Sequence, residues 1–159
     1  MMKPASVNEI KKKLKETDKN ELIEICQRLA RFKKENKELL TYLLFEEDDL
    51  PSYIKNVKEE IDEGFLQVNT SNVYFAKKTI RKILRIANKH IRYTNSKIAE
   101  VEILLHYVIS FKGLNLSWQK STALTNLYKT QLKKIDTAIS TMHEDLQYDY
   151  RRELDRLKF

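Results

Sequence analysis

The chain has 159 residues, a formal charge of +7, 33% charged and 42% hydrophobic residues, and only two glycines and two prolines. That apolar share is too high for a disordered chain, and the scarcity of breakers argues against a turn-rich sheet protein. The single cysteine, Cys26, excludes an internal disulfide.

The elements follow in chain order. Ser6-Val7-Asn8-Glu9 has the capping-box form, which predicts a first helix from Ser6 to about Lys15. Asp18 followed by Glu21 repeats the signal, and a second helix is predicted over Lys19 to Ala30. Its Leu22, Ile25, Cys26 and Leu29 recur at helical spacing, so Cys26 is expected in the core. A third helix is predicted over Glu35 to Phe45, with Leu39, Leu40, Leu43 and Leu44 inward.

Asp49 can cap a fourth helix, Leu50 to Phe65, since Pro51 is tolerated only in a first turn. Gly64 is expected to mark its end. After the loop-like LQVNTSN, a long fifth helix is predicted from Asn72 to Tyr93. At about 100° per residue, Val73, Ala76, Ile80, Ile83, Leu84, Ala87 and Ile91 gather on one stripe. Phe75, Ile86 and Tyr93 form a smaller facet. Lys77, Lys78, Arg81, Lys82, Arg85, Lys89 and Arg92 fill the remaining arc.

Asn95 is expected as an N-cap for a sixth helix over Ser96 to Lys112, which is apolar nearly all round and ends at Gly113. A seventh is predicted from Gln119 to Met142. Tyr148, Tyr150, Leu154 and Leu157 support a last helix from about Asp145, after a break near His143. The fold class is therefore all-α: an antiparallel bundle of seven or eight helices, or a solenoid of helix pairs. It is expected as one domain over 1–159, with a short-helix subunit (about 1–66) packed on a long-helix core (about 70–159).

Two segments, ELIEICQRLARFKKENKELLTYLLF and SNVYFAKKTIRKILRIANKHIRYTNSKIAEVEILLHYVISF, together with HEDLQYDY, carry a resemblance. They resemble bacterial proteins catalogued as domain of unknown function family 6155. The resemblance covers most of the chain and implies an all-helical, cytoplasmic bacterial protein, with no activity and no residue roles. LKETDKNELIEICQRL is also similar to short DNA-binding helix-turn-helix modules of the SAP or Rho N-terminal kind, without their glycine turn.

No residue pattern indicates catalysis. The chain has no Gly-rich phosphate loop, nucleophile elbow or zinc pattern. His90, His106 and His143 lie apart from one another. Glu102 and His106 share a face at i, i+4, but a di-metal site would need Glu-x-x-His on two helices. No metal or cofactor is expected, and His106 reads as a polar interruption of a buried helix. Glu59, Glu60 and Glu63 read as solubilising charge, and Tyr74, Phe75, Tyr93, Tyr107 and Trp118 as core. Tyr148 and Tyr150 would offer a patch to a second protomer if the last helix were mobile.

No apolar run reaches a membrane span, and the N-terminus lacks a signal-peptide core, so a cytoplasmic protein is expected. The basic arc is the sharpest feature. Like charges one turn apart repel by a few tenths of a kcal/mol per pair. They are offset by a polyanion, by solvent, or by the carboxylates of Glu46 to Asp49 and Glu59 to Glu63. The leading expectation is a non-enzymatic helical interaction or scaffold protein that binds a protein partner or itself. The alternative is a nucleic-acid accessory protein using Lys77 to Arg92, and an enzyme with a pocket between helices comes third.

Overall fold

Side-chain caps start most of the helices in the computed structural model, which describes residues 1–158. The α-helices are α1 (Val7–Glu16), α2 (Lys19–Phe32), α3 (Lys34–Thr41), α4 (Leu50–Leu66), α5 (Val73–Thr94), α6 (Lys97–Lys112), α7 (Thr122–Ser140) and α8 (Glu144–Asp155). The chain is all-α, with no strand among the described residues. Ser6, Asp18, Asp49, Asn72, Ser96, Ser121 and His143 each accept a hydrogen bond from a first-turn amide, so orphan donors are satisfied at seven helix starts. At the first of these, Glu9 reaches back to the Ser6 amide at 2.7 Å and closes the expected capping box.

The chain divides into two compact units, Met1–Phe45 and Glu46–Phe159. In the first unit α2 packs on α3, and Asn36 Nδ2 donates to the Leu29 carbonyl at 2.9 Å. Helices α1 to α3 bury no side chain completely. Leu39 and Leu40 are half-buried, whereas Leu43 and Leu44, expected inward, are exposed. The expected helix continues only to Thr41 and then passes into a π turn, Tyr42–Glu46, which rotates the later leucines off the helical register.

The second unit is a bundle of α4 to α8. Tyr53 meets His90 while Gly64 lies against Ile83, so α4 and α5 run antiparallel. The hydroxyl of Tyr107 donates to the Ile80 carbonyl at 3.0 Å and fastens the α5–α6 hairpin. Lys58 pairs with Glu102 and Asp62 with His106, equal steps in the same direction, so α4 and α6 are parallel. Helix α8 folds back along α7, tied by Arg151 to Asp136 at 2.6 Å and by the Tyr128 hydroxyl to the Leu157 carbonyl at 2.8 Å. As expected, α6 is the interior helix. Ala99, Val101, Ile103, Leu104, Leu105, Tyr107, Val108 and Phe111 are all buried. Phe111, Trp118 and Tyr128 form an aromatic centre, with Trp118 4.9 Å from each neighbouring ring.

Several expectations change. The short-helix subunit was expected to reach residue 66, but α4 belongs to the second unit, because Tyr53, Ile54, Val57, Ile61 and Phe65 are buried on a helix packed against α5 and α6. Gly64 lies in the last turn of α4, near the end expected, and it has a second role in close approach: a Cβ there would stand 2.8 Å from Ile83 Cγ1. Asn95 closes α5 in the left-handed region (φ 47°) and does not open α6, whose N-cap is Ser96. The predicted seventh helix starts later, after a 3₁₀ turn at Trp118–Lys120, and the break at His143 is present.

Candidate functional site

The outer face of α5 is built by the helix's own periodicity. Ala76, Ile80, Ile83, Leu84 and Ala87 are buried on one side. At about 100° per residue, the side opposite carries the cations. Lys78, Arg81, Lys82, Arg85 and Arg92 are exposed, and Lys77 and Lys89 are half-buried. Taking Tyr74 as reference, Lys78, Arg81, Arg85 and Arg92 fall within about 40° of it. They form a row with roughly one cation per turn, running about 21 Å along the helix axis.

This row is not neutralised from within. No ion pair joins Arg81, Lys82, Arg85 or Arg92 to a carboxylate of the described residues. The carboxylates of α4 expected to reach the row are held elsewhere. Glu60 pairs with His90 Nε2 at 2.9 Å, and Asp62 pairs with His106 Nε2 at 2.6 Å. Glu59 and Glu63 are exposed, and Asp49 is engaged in capping α4 through the Ser52 amide. The Ser52 side chain first, and that amide bond second, hold the Asp49 carboxyl below its ordinary range.

Tyr74 and Phe75, expected in the core, are exposed at 60% and 52%. They occupy the first turn of α5 at azimuths off its buried stripe, which Ala76 already begins there. Phe75 shares its facet with Tyr93, which is buried, so that facet is covered at one end of the helix and open at the other. The two rings meet edge to face at 5.4 Å, and the Lys78 ammonium lies 4.6 Å from the Tyr74 centroid. An aromatic pair thus heads the basic row.

Two polar clusters join residues far apart in sequence. In the first, His90 stands between Tyr53 (2.7 Å to Nδ1) and Glu60. A carboxylate can only accept, so Nε2–H donates to Glu60, and in a neutral ring Nδ1 accepts from the Tyr53 hydroxyl. In the second, Lys58 and Tyr150 both bond Glu102, at 3.2 and 3.0 Å, beside His106 in a cleft of about 100 Å³ between α4, α6 and α8. Burial first, then the charge and hydrogen bond of Glu102, push the Tyr150 phenol up to about 12. Burial alone raises Tyr107 and Tyr128. Only the Glu102–His106 spacing hinted at this cluster. The partners lie more than forty residues away in sequence. Both groups are bound to other side chains, so the cluster links helices.

Tyr150 therefore points inward and is not a surface partner for Tyr148, which is exposed at 66%. Cys26 is exposed, not core. It lines an apolar groove of about 180 Å³ between α2 and α3 with Leu29, Ala30, Asn36, Leu39 and Leu40. Among the described residues there is no group of three or more His, Cys, Asp or Glu side chains arranged to hold a metal. No helix among them is long and apolar enough to cross a membrane. No family model, curated protein or solved structure matches the chain.

Proposed function

We propose that this chain is a non-enzymatic binding protein that contacts a polyanion, foremost a nucleic-acid phosphate backbone, through the outer face of α5. The observation that carries this reading is the basic face of α5, on which Arg81, Lys82, Arg85 and Arg92 are exposed and without a carboxylate partner among the described residues. Phosphates approaching that row would relieve its self-repulsion and release condensed counterions. The helix lacks the Asn, Gln and Arg pattern of a base-reading helix, so contact is to the backbone. The test is oligonucleotide binding at low salt. Arg81→Glu with Arg85→Glu should weaken it roughly tenfold or more, whereas Lys133→Glu with Lys134→Glu on α7, an equal change of charge, should change it little. Equal losses in the two variants would contradict a dedicated face.

A second reading, a protein-interaction or scaffold module that binds a partner or itself, is favoured by the first unit. Its Ile23, Ile25, Leu29, Phe32, Leu44 and Phe45 are exposed, at 42% to 78%. Exposed apolar surface on that scale marks contact sites. Light scattering across a concentration series tests self-association: a second copy predicts a dimer that Leu29→Glu with Phe32→Glu abolishes, and a strict monomer opposes it. The single cysteine and the family resemblance support a cytoplasmic bacterial setting.

A further inference from the structure

From the aromatic pair that heads the basic row, we infer that the strand bound by α5 is single-stranded, with an unpaired base stacked on Tyr74. This rests on the polyanion reading above and narrows its ligand class.

Three observations converge. Tyr74 lies at the azimuth of the row, in line with Arg81, Arg85 and Arg92, so a base on its ring places the attached backbone over the guanidinium groups. Tyr74 is 60% exposed, one of two exposed tyrosines with Tyr148 on α8, and it is the one that stands in line with the cations of α5. Its neighbours are on the same helix: the Lys78 ammonium sits 4.6 Å from its centroid and the Phe75 ring meets it in a T-shaped contact at 5.4 Å. The exposed part of the ring is open to a base. An aromatic face joined to a cationic track is the composition of single-strand sites, where stacking is tolerant of sequence and the track follows the backbone. A duplex keeps its bases stacked inside and offers the ring nothing. An acidic polypeptide would satisfy the arginines but leave the ring unused.

The test is fluorescence anisotropy at low salt with three labelled probes: an oligothymidylate of about 12 nucleotides, a duplex of the same length, and a polyglutamate peptide. The wild-type chain should bind the oligothymidylate most tightly. Tyr74→Ala should weaken that binding about tenfold, as expected for loss of one stacked base, and leave duplex binding unchanged. Tyr74→Phe should retain most of it. Circular dichroism melts of Tyr74→Ala should match wild type, since the side chain is exposed. Equal affinity for duplex and single strand with no effect of Tyr74→Ala would overturn the inference while the polyanion reading stands. Preferential binding of polyglutamate would overturn it in favour of an acidic protein partner. Failure of all three probes to bind would overturn both readings.

Discussion

Glu60 of α4 reaches His90 of α5 at 2.9 Å, on the side of α5 away from its arginines. That pairing places an α4 carboxylate against the imidazole and leaves the outer row open. Tyr53 completes the arrangement from the other ring nitrogen. Removing the Glu60 carboxylate by Glu60→Gln should cost under about 1 kcal/mol, because that side chain is half exposed. Tyr53→Phe removes a hydrogen bond at a nearly buried position and should cost about 1 kcal/mol. Urea unfolding of the two variants checks the order. A larger loss from Glu60→Gln would contradict it.

Gly64→Ala tests the approach of α4 to α5. Alanine is the better helix former by roughly 1 kcal/mol, but its Cβ would stand 2.8 Å from Ile83 Cγ1, a branched side chain buried in the interface. Overpacking of this kind costs about 1 to 3 kcal/mol, so the net change should be destabilising. Combining Gly64→Ala with Ile83→Ala should show a favourable coupling energy in a double-mutant cycle. Additive losses would contradict direct contact.

Gln131 offers a change in the opposite direction. It is 2% exposed. Its amide nitrogen donates weakly to the Leu127 carbonyl at 3.3 Å, and its Oε1 has no hydrogen-bond partner. An orphaned buried acceptor costs about 1 to 3 kcal/mol. Gln131→Leu should therefore raise the midpoint of thermal unfolding by a few degrees, corresponding to about 1 kcal/mol.

Tyr150 links stability to alkaline pH. Its phenol is raised to about 12 in the fold, against about 10 unfolded. A group raised in the fold contributes stability while protonated in both states, and loses it as pH rises from the unfolded value through the folded one. Stability should fall between about pH 10 and 12. Tyr107 and Tyr128 add to the same slope. Tyr150→Phe should lower stability near neutral pH by about 1 kcal/mol, through loss of the bond to Glu102, and make the alkaline decline shallower. An unchanged slope would contradict the coupling.

Much of this architecture is legible from local chemistry. The caps at Ser6, Asp18 and Asp49, the stripe of α5 and the all-round apolar face of α6 each follow from residues within one or two turns. The departures have a common origin in distant packing. Gly64 reads only as a stop, and its contact with Ile83 shows once the two helices are packed. Glu60 reads as surface charge until His90 faces it, and Cys26 reads as core until α2 and α3 are seen to bury no side chain completely. The cations of the site were visible as an arc, but the open ring of Tyr74 at its head was not. Periodicity reports which face a residue shares, and only packing decides how far along the helix that face is covered.

The most direct measurement is the salt dependence of oligothymidylate affinity, with log K plotted against log salt concentration. Four cations without carboxylate partners contacting a single strand predict a slope of about −3, at roughly −0.7 per phosphate. Arg81→Ala with Arg85→Ala should reduce that slope by about half. A slope near zero, or no binding at low salt, would contradict the assignment of α5 as a polyanion-binding face.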